Sequence, residues 1–251
     1  MSARRERASQ RRGLRVAGLL AGLLAAASAV AGSFSVSPVR VYMQGRDRAT
    51  AITISNEGDT ELVMQAELFE WKQKPDGTDD LTPTDDMVMA PPVLKLAPKS
   101  RQVLRLANLK PVIPGQQLTY RLLVREIPEA VAPVNGAQVQ VALAFSIPVF
   151  VTPPGAKQRL NCSAKGRAPD AVLVSCENLG QAYAQPVNFS LSNGSVDAAL
   201  VQEVAGGYIL PQMSRVFEIK RPGKAIAAGP AKLTVAQDDG SKQTFDVLLP
   251  E

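Results

Sequence analysis

The stretch Gln138-Val139-Gln140-Val141-Ala142-Leu143-Ala144-Phe145-Ser146-Ile147-Pro148-Val149 decides the fold class. Val139, Val141, Leu143, Phe145, Ile147 and Val149 occupy every second position, with Gln, Ala, Ser and Pro between them. Side chains of a strand point alternately to its two faces, so this is one β-strand with a single apolar ridge, about 30–35 Å long at roughly 3.4 Å per residue. A ridge of that kind must be buried, either in the chain's own core or against another chain. Alternation alone favours the chain's own core, because strands with one greasy face commonly line one.

The same period recurs on both sides of the ridge. Segments 35–43, 50–55, 62–71, 93–96, 101–107 and 119–126 precede it, and the ridge strand itself runs over 139–151. Lys74-Pro75-Asp76-Gly77 and Val134-Asn135-Gly136 carry turn chemistry, since Gly supplies positive φ and Pro pre-sets a corner. Seven strands in about 120 residues fit a β-sandwich. Thr152-Pro153-Pro154-Gly155 then breaks the pattern, because proline donates no ladder hydrogen bond. Short strands resume at 159–164, 171–178, 187–191, 207–209, 214–220, 231–236 and 243–249. The expected organisation is a signal peptide over 1–31, a first domain over 32–151, a linker over 152–156 and a second, smaller sandwich over 157–251.

The leader reading rests on an Arg-rich start, from Arg4 to Arg15, followed by an apolar run over 16–30 and the small residues Ala27, Ala29, Ala31 and Gly32. That is the layout of a secretory signal, and the run is short and Ala-rich for a membrane anchor. The leader holds the excess positive charge of a chain whose net is +5. What remains is close to neutral, and no basic run with interleaved aromatics points to nucleic acid.

Cys162 and Cys176 lie symmetrically about Pro169 in a predicted hairpin. Export to an oxidising compartment makes a disulfide between them the expected state. The chain has no histidine. This removes the commonest general base and the Ser-His and Cys-His nucleophile arrangements, and it weakens every enzyme reading. Asp76, Asp79, Asp80, Asp85 and Asp86 lack the ordered spacing of a calcium loop, so a solvated turn is expected there.

Four stretches in order resemble one family. They are Ser37-Pro38-Val39-Arg40-Val41, Ile54-Ser55-Asn56, Ala90-Pro91-Pro92-Val93-Leu94-Lys95-Leu96-Ala97-Pro98 before Val103-Leu104-Arg105-Leu106, and Arg125-Glu126-Ile127-Pro128. Together they resemble the periplasmic pilus-assembly chaperones of the chaperone-usher pathway, the PapD-like family. The resemblance implies an all-β fold of two immunoglobulin-like β-sandwich domains arranged in an L. It also implies donor-strand complementation, in which the last strand of the first domain fills the open groove of a pilus subunit. The donor residues would be Val139, Val141, Leu143, Phe145 and Ile147.

The resemblance further implies a basic pair that binds the subunit's C-terminal carboxylate, with Arg40 as its first member. A guanidinium suits that task because it stays charged and can grip a carboxylate with two parallel hydrogen bonds. The family's partner lysine falls on Pro148, and Arg121 is the preferred substitute, ahead of Arg105 and Lys110. Thr152 likewise stands where an arginine of an interdomain charge pair is expected. These departures indicate a divergent branch resembling the spore-coat-protein-U-type systems.

The functional expectation is a periplasmic chaperone that stabilises pilus or fimbrial subunits and delivers them to an outer-membrane usher. It would not be an enzyme and would use no cofactor, nucleotide or metal. It would bind no nucleic acid and have no stable membrane insertion after signal cleavage; a self-capping dimer stays open for the unbound protein. The alternative is a secreted structural pilus subunit or adhesin. A subunit should carry a donor extension before its sandwich, whereas the first strand here begins a few residues after the expected cleavage site.

Overall fold

The computed structural model describes residues 34–128, 142–192, 200–203 and 207–251, and every regular element among them is a strand. The first half forms β1 (Phe34–Ser37), β2 (Val41–Gln44), β3 (Ala49–Asn56), β4 (Leu62–Gln73), β5 (Asp79–Pro83), β6 (Met87–Ala90), β7 (Val93–Leu96), β8 (Arg101–Asn108), β9 (Leu118–Glu126) and β10 (Ala144–Thr152). They build the sheets β1-β3-β8-β6 and β2-β10-β9-β4-β5, with β7 also paired to β4. Strict alternation along β4 sends Leu62, Met64, Ala66 and Leu68 into the core. There they join Ile52, Ile54, Leu104 and Leu106 of the other sheet. Each fully buried aliphatic side chain contributes roughly 1.5–3 kcal/mol, which is what holds the two sheets face to face.

Two expectations for this half are corrected. The predicted strand 35–43 is two strands in different sheets, β1 on β3 and β2 parallel to β10. Pro38 lies at the crossing, where a residue without an N–H costs no ladder bond. The acidic stretch expected to be a turn contains β5, which pairs with β4, and leads into β6, which pairs with β8. All five residues of β5 are exposed, so no apolar alternation marked it. The acids separate into unrelated roles: Asp76 closes the turn on Thr78, Asp79 faces Arg121, and Asp86 accepts from Lys110 and Tyr120.

The second half forms β11 (Leu160–Ala168), β12 (Ala171–Asn178), β13 (Pro186–Ser192), β14 (Leu200–Glu203), β15 (Ser214–Lys220), β16 (Gly229–Gln237) and β17 (Lys242–Leu249). Its sheets are β11-β12-β15 and β14-β13-β16-β17, closed over a separate core in which Phe189 and Phe217 lie 4.8 Å apart. The segment 207–209 contributes only the bridge from Ile209 to Ala184. Cys162 and Cys176 are register partners on β11 and β12, both buried and disulfide-bonded. Gly180 is fixed by close approach, since a Cβ there would lie 2.4 Å from the Lys157 carbonyl oxygen.

Candidate functional site

β10 has two unlike halves. On one side it pairs with β9 from Ala144 to Val151, but on the other it meets β2 only from Val149 to Thr152. The edge over residues 144–148 therefore has no strand partner among the described residues. Five residues present roughly 17 Å of unpaired backbone, a template for adding a strand. Pro148 ends this stretch, and its missing N–H marks where the ladder with β2 begins.

The predicted donor residues divide accordingly. Val139 and Val141 lie outside the described residues. Leu143 is half-buried just before β10, with its carbonyl accepting the Glu126 N–H at 2.9 Å. Phe145 is also half-buried and meets Phe34 edge-on at 5.0 Å. Ile147 is placed otherwise than expected: it is 1% exposed and packs in the first sandwich's own core with Val149 and Val151. A side chain held there cannot also fill another protein's groove without emptying its own site.

The other face of β10 looks toward the second sandwich. Phe150 stacks on Tyr183 at 4.0 Å and joins Trp71, Tyr208 and Leu210 in a buried cluster. Gln73 bonds across the same junction, donating to the Tyr208 carbonyl at 3.0 Å and accepting from the Leu210 N–H at 2.9 Å. At Thr152, where the family's pattern has an arginine, a neutral relay operates: Gln117 donates to Thr152 Oγ1 and accepts from the Tyr183 N–H. Two concavities of about 410 and 420 Å³ flank this junction.

Arg40 immediately precedes β2 and reaches into the junction. Its Nη1 donates to Tyr42 Oη at 2.9 Å, Tyr183 Oη at 3.3 Å and Asp238 Oδ2 at 2.5 Å, while Nη2 donates to Gln185 Oε1 at 2.7 Å. Burial opposes the charge, but the Tyr42 contact and the neighbouring Tyr208 and Tyr183 hold its proton affinity above the ordinary arginine range. Burial raises the Tyr183 hydroxyl well above the usual phenol range and the Tyr208 hydroxyl above it, so they stay neutral and able to donate at physiological pH.

Arg121 pairs in register with Pro148, so the two side chains share the junction face of the sheet. The Arg121 guanidinium carbon lies 3.7 Å from the Trp71 ring centroid and 5.4 Å from that of Tyr208. The Arg40 carbon lies 5.3 Å from the same Tyr208 centroid, so one tyrosine brings the two cations together. Burial pulls Arg121 below the ordinary arginine range, opposed by a long 3.4 Å contact to Asp79, and its Nε has no hydrogen-bond partner among the described residues. This is a desolvated cation with little compensation. Lys110 instead pairs with Asp86 at 2.9 Å, and Arg105 projects from β8 in the opposite sheet.

Tyr42, Tyr183, Tyr208, Gln185 and Asp238 escaped the sequence reading. One signal was available: the chain has four tyrosines and one tryptophan, and three of those tyrosines and the tryptophan converge here. Scattered over the sequence from position 42 to 208, they show no period.

A partly open edge strand in a pair of sandwiches is an architecture on which proteins bind extended chains by strand addition. Residues 33–157 match the family described as pili and flagellar-assembly chaperone, PapD N-terminal domain, and this part of the chain belongs to that family. Among curated relatives, the probable fimbrial chaperone LpfB of Escherichia coli O157:H7 is 28% identical over 141 residues, covering 55% of this chain and 58% of that protein. The chaperone protein LpfB of Salmonella typhimurium is 28% identical over 137 residues, covering 53% and 56%. The chain thus matches little more than half the length of these relatives. Among solved structures, the CsuC-CsuE chaperone-tip adhesion subunit complex of Acinetobacter baumannii Csu pili gives a TM-score of 0.62 at 21% identity, covering 87% of this chain and 100% of that one. The SafA pilin–SafB chaperone complex of Salmonella enterica gives 0.56 at 15% identity, covering 88% and 99%. At these identities the structural likeness speaks for the two-sandwich fold.

Proposed function

We propose that this chain is a periplasmic chaperone that captures pilus or fimbrial subunits and passes them to an outer-membrane usher. The observation that carries this reading is the edge of β10 over residues 144–148, which has no strand partner among the described residues and ends at Arg40. A subunit strand laid along that edge would continue the line of β2, and main-chain ladder bonds would hold it largely independently of its sequence. Leu143 and Phe145, with Val139 and Val141 before them, would offer their side chains to the subunit's groove. A C-terminal carboxylate arriving at the end of the edge would meet Arg40, with Arg121 contributing the second positive charge in place of the family's lysine. Register would then be set by charge at one end and by side-chain fit along the rest. The leader over 1–31 supports export, and the disulfide suits an oxidising compartment.

The reading is tested by co-expressing the chain with the subunit encoded beside it and isolating the complex. Capture in a 1:1 complex is expected, with Arg40→Ala reducing it at least 10-fold and Leu143→Glu preventing strand seating. Undiminished capture by both variants would overturn the assignment of the site.

A further inference from the structure

The Asp238 carboxylate occupies the place that an incoming carboxylate needs. It sits in the turn between β16 and β17, on the second sandwich, while Arg40 belongs to the first. Its Oδ2 accepts from Arg40 Nη1 at 2.5 Å and from Tyr183 Oη at 3.1 Å. Tyr183 Oη lies 2.7 Å from Tyr42 Oη, which in turn accepts from the same Nη1. One guanidinium and one hydroxyl thus converge on a single carboxylate oxygen, with the Tyr42 hydroxyl bridging the two donors behind it, an arrangement that recognises carboxylates.

The internal contact is also an imperfect one. Nη1 has two protons and faces three acceptors, while Nη2, also with two protons, donates only to the Gln185 amide oxygen among the described residues. Asp238 therefore engages Arg40 through one nitrogen only. A carboxylate at a chain terminus can approach Nη1 and Nη2 together, and such fork-to-fork pairs are the stronger geometry. The backbone N–H of Asp238 is fixed to the Gln185 carbonyl at 3.1 Å, so its side chain can swing away while the hairpin stays in place.

We propose that Asp238 is a built-in occupant of a carboxylate site formed by Arg40, Tyr42, Tyr183 and Gln185, and that a peptide's terminal carboxylate must displace it to bind. This rests on the chaperone reading and adds two things to it. Tyr183 is a binding residue for the carboxylate, positioned with Arg40 by the Tyr42 hydroxyl, and the second sandwich takes part in binding by releasing Arg40. The displaced Asp238 leaves a negative charge beside the site, so every captured carboxylate competes with it.

The test titrates the purified protein with N-acetyl-Gly-Gly, and with its C-terminal amide, by NMR of the Arg40 Nε–H and the Asp238 side-chain carboxyl carbon. The carboxylate should move both signals and the amide neither. Asp238→Asn should tighten carboxylate binding at least fivefold and Tyr183→Phe should weaken it, whereas Asp239→Asn, with the same change in charge, should leave it unchanged. Carboxylate binding to the native protein that shifts Arg40 but not Asp238 would overturn the displacement, as would an Asp238→Asn affinity equal to or weaker than native. The native titration decides the matter even if a variant fails to fold. Failure here alongside Arg40-dependent subunit capture would sink only this inference; loss of Arg40 dependence in capture would sink the chaperone site itself.

Discussion

The two ends of β10 obey the same alternation and have opposite fates. From Ile147 to Val151 every residue is buried, one face in the first sandwich's core and the other against the aromatic cluster around Phe150. From Ala144 to Ser146 burial is partial, and the edge toward β2 has no strand partner among the described residues. A strand can thus be structural at one end and available at the other, and what separates the two is where β2 stops.

The contrast is broken most severely by Ile147→Ala, which should cost about 2–4 kcal/mol in urea unfolding because it empties a filled core position. Leu143→Ala, only four residues earlier, should cost under about 1 kcal/mol because its side chain is half-exposed already. Equal losses at the two positions would refute the division of β10. Removing the disulfide with Cys162→Ala and Cys176→Ala should cost about 2–4 kcal/mol, as expected for a closed loop of roughly 15 residues. That loss should fall on the second sandwich and leave Arg40-dependent capture intact at temperatures where the protein stays folded. Gly180→Ala should cost at least about 2 kcal/mol, because backbone atoms rather than flexible side chains occupy the space. A thermal melt within a degree of native would show that the segment around Lys157 yields easily.

A smaller effect concerns Asp86, which follows β5 and accepts from Tyr120 of β9. Burial tends to raise its pKa, but hydrogen bonds from Lys110 and Tyr120 outweigh this and hold it below the ordinary carboxylate range. A folded-state pKa below the unfolded value of about 3.9 means the stabilisation is present above that pH and disappears as the pH falls through the folded value. Asp86→Asn should therefore cost about 1–2 kcal/mol at neutral pH, with the gap to native closing in acid. A gap that is constant between pH 7 and pH 2 would remove the ionic part of this account.

Much of the architecture was legible because half-buried strands announce themselves. β3, β4, β8, β9, β12 and β16 each carry alternating burial that mirrors their alternating composition. β5 was invisible because all its residues face solvent. The split of 35–43 was hidden because β1 and β2 both alternate correctly, and only the partner sheet changes at Pro38. Arg40 was singled out through its motif and Arg121 as the preferred substitute for the family's lysine, whereas Asp238 stands in a polar hairpin turn like any other.

By itself, then, the chain's pattern determined that it folds as successive β-sandwiches, that the ridge from Ala144 onward is a strand, and that the two cysteines pair. Those conclusions depend on local period and residue chemistry, which are written along the sequence. Tertiary structure alone decided how far the ridge is buried, that Arg40 and Arg121 meet over Tyr208, and that Asp238 holds Arg40 from the other sandwich. Strand pairing and the packing of sandwich on sandwich bring together residues nearly two hundred positions apart. No local period records such distances.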